Sequence, residues 1–168
     1  MLELKSISKV FNAGTIDEKM LFDDFDLKIH DGEFVSVVGS NGSGKTTVLN
    51  IISGDVFPDS GSVILDGSDI TAVKNYNRAK KIARVFQNPA TGTCPTMTIF
   101  ENMSVADNKG KAYNLTPGLN HKRKEFYCEQ LSMLHMGLED RLETKAGTLS
   151  GGQRQALALI MATISDPK

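Results

Sequence analysis

The 168 residues contain no tryptophan and only two cysteines, Cys94 and Cys128. The cysteines show neither a CxxC nor a Cys/His spacing. A disulfide scaffold or zinc site is therefore not expected, and a reducing, cytosolic compartment fits. Long apolar runs are missing too. The longest, Ala156–Ile164, is well short of the roughly 20 residues needed to span a bilayer, so a membrane role has to come through a partner. Met1-Leu2-Glu3-Leu4-Lys5 lacks the apolar stretch of a secretory signal. Charge of one sign is also absent. With 19 Lys+Arg against 20 Asp+Glu the net charge is −1, and no global field draws nucleic acid or an anionic membrane. The cluster Lys122-Arg123-Lys124 reads as solvated surface. No repeat or low-complexity segment is apparent. What remains has the balance of a globular domain with a real core, 40% hydrophobic and 23% charged.

Leu2–Lys9 alternates apolar and polar residues and predicts a half-buried strand, as does Phe25–Ile29. Asp31-Gly32 supplies the chemistry of a tight turn. Phe34-Val35-Ser36-Val37-Val38 is almost continuously apolar, which predicts a strand of a parallel sheet buried on both faces. Thr46–Ser53 predicts a helix closed by Gly54. Short strands are expected at Val63-Ile64-Leu65, before an Asp66-Gly67 turn, and at Ile82–Phe86 before Gln87. From Asn88-Pro89 to about Ala146 the signals turn helical or loop-like. Tyr127, Leu131, Leu134 and Leu138 form an apolar stripe at helical spacing. Asn108–Asn120 is polar and predicts a surface loop. Ser150 reads as the N-cap of a helix, Gln153–Ser165, that is apolar nearly all round and is therefore expected to be buried.

Two motifs carry chemistry. Gly39-Ser40-Asn41-Gly42-Ser43-Gly44-Lys45-Thr46 fits GxxxxGK[ST] without a mismatch. Glycines let the backbone fold tightly and turn several N–H groups into one concave nest for phosphate oxygens. The helix that follows adds its positive dipole end. Lys45 can neutralise the β- and γ-phosphates and the Thr46 hydroxyl can ligate Mg²⁺, with Thr47 beside it in the binding set. Alone, this loop fits ATPases, GTPases and nucleotide kinases equally. The second motif is Leu149-Ser150-Gly151-Gly152-Gln153. A serine at a helix start followed by two glycines presents a hydroxyl and unpaired N–H groups, a second anion site.

A phosphate loop, then a glutamine after a strand, then LSGGQ: this order resembles the ABC ATPase family, and the resemblance covers the whole chain. It implies an α/β fold, a P-loop NTPase core of mixed sheet and flanking helices over 1–88, an inserted helical subdomain over 89–148, and a return to the core over 149–168. It implies ATP and Mg²⁺ as cofactors. Phe11 matches the aromatic that stacks on adenine, and Gln87 the glutamine that approaches Mg²⁺ and the attacking water. Ser150, Gly151, Gly152 and Gln153 match the element that closes on the γ-phosphate held by the Gly39–Thr46 loop of a second ATPase subunit in a head-to-tail dimer. The helical subdomain implies transmembrane permease subunits as partners, with Asn88–Met103 the expected contact, on the cytoplasmic face of the membrane. Nucleic acid is not expected.

In the family, a hydrophobic strand ending in Asp-Glu follows the signature helix, and a histidine lies beyond it. Neither is found here: His121 and His135 precede the signature, and Asp166 is followed by Pro167. On that reading the C-terminal part of the core is absent, no catalytic residue proper is present, and hydrolysis by these residues alone is expected to be slow or nil. The pattern is most similar to subunits of bacterial small-molecule importers. Arg84-Val85-Phe86-Gln87-Asn88-Pro89 and the later Gln153-Arg154-Gln155-Ala156-Leu157 resemble ATPases paired with amino-acid-type or uncharacterised importers. Two alternatives stay open: a soluble ABC ATPase of translation or DNA maintenance, and a non-catalytic ATP-binding remnant. The short spacing between motifs, without sustained heptads, argues against the chromosome type.

Overall fold

A computed structural model describes residues 1–111 and 118–167 of the chain, which divides into two compact units, Met1–Arg78 and Ala79–Lys168. The first is built on a sheet of order β2-β1-β3-β4, formed by β1 (Leu2–Phe11), β2 (Lys19–Ile29), β3 (Ser60–Leu65) and β4 (Ser68–Asp69). Every pairing is antiparallel. β1 lies between β2 and β3, and its alternation is broken at Lys5–Ser6: the register shifts there, Ser6 takes φ 49°, and Leu4 and Ile7, three residues apart, are both buried. The Asp66-Gly67 turn has both residues at positive φ, 50° and 76°, the conformation that a two-residue hairpin between β3 and β4 demands. Helix α1 (Lys45–Ser53) buries Val48 and Ile51 and ends on Gly54 in the left-handed region, as its sequence predicts.

Two expected strands differ. Phe34–Val38 and Ile82–Phe86 run without a ladder, and instead of being buried Phe34 and Val38 are 97% and 86% exposed. An apolar run states a preference for burial, but a strand of a parallel sheet exists only when neighbours complete its hydrogen bonds. Among the described residues neither segment belongs to a strand.

The second unit contains α3 (Pro89–Gly92), α4 (Ile99–Asp107), α5 (Lys124–Ser132) and α6 (Gly151–Thr163), while the one-turn α2 (Asn75–Arg78) closes the first. Its core gathers Ile99, Phe100 and Met103 of α4, Tyr127 and Leu131 of α5, and Leu157 and Ile160 of α6. The predicted Tyr127–Leu138 stripe is packed as expected, but α5 stops at Ser132, and Leu138 reaches the core from the connection beyond it. Helix α6 corrects a second expectation. It is one-sided, with Leu157, Ala158 and Ile160 buried and Leu159 47% exposed. Of the expected Asn108–Asn120 loop, residues 112–117 lie outside the described residues.

Candidate functional site

In the first unit the phosphate loop leads straight into α1. Gly42 and Gly44 both take positive φ, 82° and 94°, and Gly44 is the N-cap with no side-chain cap bond. A Cβ on Gly44 would stand 2.7 Å from the Phe22 ring, so strand β2 forms a floor on which only glycine fits in that backbone conformation. Lys45 curls back over the loop, and its Nζ donates to the carbonyls of Gly39 at 2.8 Å and Ser40 at 2.7 Å. The ammonium is thereby fixed at the rim of the nest by its own loop. Thr46 and Thr47 occupy the first turn of α1, and the Thr46 side chain is exposed. No hydrogen bond involves its hydroxyl among the described residues, so the oxygen stands open to a hard cation. Among the described residues no cluster of three His, Cys, Asp or Glu could hold a metal ion. The Thr46 hydroxyl is a hard oxygen donor of the kind that Mg²⁺ takes. Phe11 ends β1 opposite Lys19, the first residue of β2, and the Lys19 Nζ lies 3.5 Å from the carbonyl of Gly42. That ladder places the aromatic and the loop at one end of the first unit.

The other candidates lie in the second unit. Gln87 is exposed, in a bend before Asn88, whose side chain caps α3 by accepting from the Ala90 amide at 3.0 Å. Ser150 is the N-cap of α6 in a reciprocal box: its Oγ accepts from the Gln153 amide and its own amide donates to the Gln153 Oε1, both at 3.2 Å. Leu149 is buried in the helical core, which anchors the motif. Gly151 and Gly152 are exposed on the first turn, and a Cβ on either would meet nothing within 4 Å.

Asn102 escaped the sequence reading. It is 1% exposed; its Oδ1 accepts from the Cys94 amide at 2.7 Å and its Nδ2 donates to the carbonyls of Cys94, Met97 and Thr98 at 3.0, 3.3 and 2.8 Å. The loop it holds is hydrogen-bonded to the stretch ahead of the signature. Ala146 donates to Met97 and Gly147 to Pro95, each at 2.9 Å. A Cβ on Gly147 would lie 2.8 Å from the Pro95 carbonyl, so the two chains approach as closely as only glycine permits. The segment after Gln87 and the segment before Leu149 are thus one clamped body. One local signal could have shown this loop to be ordered, the capping pair Thr98-x-x-Glu101, which the structure uses in full but the sequence reading passed over.

An α/β fold with a glycine loop, a lysine and a hydroxyl at a helix N-terminus belongs to the P-loop NTPase class, and solved structures that resemble this one agree. A dimeric ATP-binding cassette in a post-hydrolysis state bound to ADP and Pi matches with a TM-score of 0.80 at 30% identity over 99% of this chain and 71% of its own. Within that class the assignment is narrower. The family model described as ABC transporter matches residues 22–168, and the chain belongs to that family. It is 45% identical, over its full length, to the tyrosine transport ATP-binding protein of Clostridioides difficile (strain R20291), of which it spans 66%. It is 41% identical to the spermidine/putrescine import ATP-binding protein PotA of Haemophilus influenzae, spanning 41% of that protein. At 35% identity it also resembles the Fe(3+) ions import ATP-binding protein FbpC of Mannheimia succiniciproducens.

Proposed function

We propose that this chain forms the ATP-binding part of an ABC importer subunit, with its Gly39–Thr46 loop holding the nucleotide phosphates. The observation that carries the reading is Lys45, tied to two loop carbonyls at the N-terminus of α1, where anion-facing amides, a dipole end and an ammonium converge. Phe11 stacks the adenine. Thr46 would hold Mg²⁺, which when bound would neutralise charge on the transferred phosphoryl group, and Gln87 is assigned to the metal and the attacking water by the family resemblance alone. Ser150, Gly151, Gly152 and Gln153 close on the nucleotide of a second ATPase subunit, in keeping with the dimeric cassettes that this fold resembles. The division into 1–88, 89–148 and 149–168 belongs to the same reading.

The partners are permease subunits, met through Asn88–Met103 at the cytoplasmic face of a membrane; no described helix is long and apolar enough to cross one itself. Relatives named for tyrosine, spermidine/putrescine and Fe(3+) support import of a small solute. The 168 residues supply nucleotide binding, and none of the carboxylates present follows the signature in a strand. By themselves they should therefore turn ATP over slowly. The test is calorimetric titration with Mg²⁺-ATP. Lys45→Ala should weaken binding by at least about tenfold, a loss of roughly 1.4 kcal/mol or more. Equal affinity for the two proteins would sink the reading.

A further inference from the structure

Two lysines flank Phe11, and they are not equivalent. Lys9, two residues earlier on the same strand, lies 5.6 Å from the ring centroid, but its charge is engaged by Asp59 at 2.7 Å. Lys19 faces Phe11 across the ladder, and directly opposed residues of an antiparallel pair project from the same face. Its Nζ reaches the Gly42 carbonyl at 3.5 Å, the limit of a hydrogen bond, and would stand 3.6 Å from a Cβ at Gly42. Among the described residues no carboxylate pairs with it. An exposed ammonium held only by a long contact to one carbonyl keeps nearly all its capacity for an anion. The neighbouring Leu21 and Phe22 lie under Gly44, so the start of β2 brings Lys19 to the loop and supports the loop as well.

The placement decides which part of a ligand Lys19 meets. Lys45 is committed to the beginning of the loop, at Gly39 and Ser40. Lys19 stands at its middle glycine, on the side of the aromatic ring. A nucleotide with its base on Phe11 and its terminal phosphates in the nest has its α-phosphate between the two. We propose that Lys19 is a second nucleotide-binding lysine, contacting the α-phosphate and so strengthening the hold on ATP and ADP alike. The inference rests on the ATP-binding reading above.

The experiment measures Mg²⁺-ATP and ADP affinity of the unaltered 168-residue chain and of Lys19→Gln, Lys19→Arg and Lys45→Ala at two ionic strengths. Lys19→Gln should lose roughly threefold to tenfold for both nucleotides at low salt, and less at high salt, where an exposed charge is screened. Lys19→Arg should keep most of the affinity. A lysine that merely props the Gly42 carbonyl would be replaced by glutamine, itself a donor, without a salt-dependent loss; that result overturns the proposal. So does undiminished affinity of Lys19→Gln in a protein whose Lys45→Ala variant no longer binds. If the unaltered protein fails to bind ATP, or Lys45→Ala binds as well as it does, the ATP-binding reading itself has failed.

Discussion

Arg78 spends its guanidinium on backbone. Nε donates to Val73, Nη1 to Ile51 and Ile52, and Nη2 to Thr71, at 2.7 to 3.0 Å. Ile51 and Ile52 belong to the last turn of α1, where carbonyls run out of intrahelical partners; the Ile51 carbonyl also accepts from the C-cap amide of Gly54 at 3.2 Å. The helix that presents its N-terminus to the phosphate loop therefore ends on a buried cation, the favourable sign for that end of the dipole. Burial lowers the arginine's pKa from its ordinary value, and Asp69 and Asp55 pull it back up. Truncation removes all four charge-assisted bonds, while the Ile51 carbonyl keeps the Gly54 amide, so Arg78→Met should cost about 3 kcal/mol of stability. Arg78→Lys, which substitutes a point charge for a planar fork, should recover only part of that loss. Chemical denaturation midpoints of the two variants measure this; an unchanged midpoint for Arg78→Met would show the cluster to be dispensable. Neither Arg78 nor Asn102 announces itself in the sequence. The partners of Arg78 on α1 are 26 and 27 residues away, and an arginine in a polar stretch looks like surface. By contrast, the phosphate loop and the Ser150 cap were legible because their chemistry is local: glycines at the turning points, a hydroxyl three residues before the amide it accepts from.

At the scale of elements, β1 and β2 are held by charge as well as by their ladder. The Glu3 carboxylate on β1 meets Lys28 of β2 at 2.7 Å and Lys5 at 2.9 Å. The two ammonium groups, Lys28 first, bring its pKa down to about 2. A carboxyl whose folded pKa is depressed stabilises the fold above its unfolded pKa, and that contribution disappears as pH falls through the folded value. The first unit should therefore lose stability between the ordinary carboxylate range and about pH 2. In Glu3→Gln that fall should be shallower, as read from melting temperatures at about pH 5 and about pH 3 in matched salt. Equal slopes would mean that the lysines release Glu3 without consequence. The same sheet marks where reading the sequence stopped working. Alternation identified β1 and the second half of β2, Phe25–Ile29, but not the half that begins at Lys19 nor the shift of register at Lys5–Ser6. The continuous apolar runs at Phe34–Val38 and Ile82–Phe86 said only that both faces prefer burial. A ladder belongs to the neighbours of a strand, and no residue within such a run encodes them.

For the whole molecule, the most informative positions are the two glycines that the chain itself does not need. Gly44 and Gly147 are confined by Phe22 and by the Pro95 carbonyl. Gly151 and Gly152 are confined by nothing: their added Cβ atoms would project into open space at the exposed first turn of α6. In a helix, alanine is more stable than glycine by about 0.5–1 kcal/mol because it has less backbone freedom to lose. A chain that has glycine at both positions forgoes that gain, and the reason has to lie in something that approaches from outside. In the head-to-tail arrangement proposed above, that something is the phosphate chain held by the second subunit, which needs the amides of this turn at hydrogen-bonding distance. Gly152→Ala should therefore separate stability from assembly. Its melting temperature should hold or rise slightly, and its affinity for ATP through the Lys45 loop should be that of the unaltered protein. ATP-dependent dimerisation of the 168-residue chain, followed by light scattering with hydrolysis suppressed, should be lost or reduced at least about tenfold. A variant that dimerises normally would place the reason for these glycines elsewhere. A variant that fails to dimerise but also melts lower would show that the open space around Gly152 is used within the chain itself.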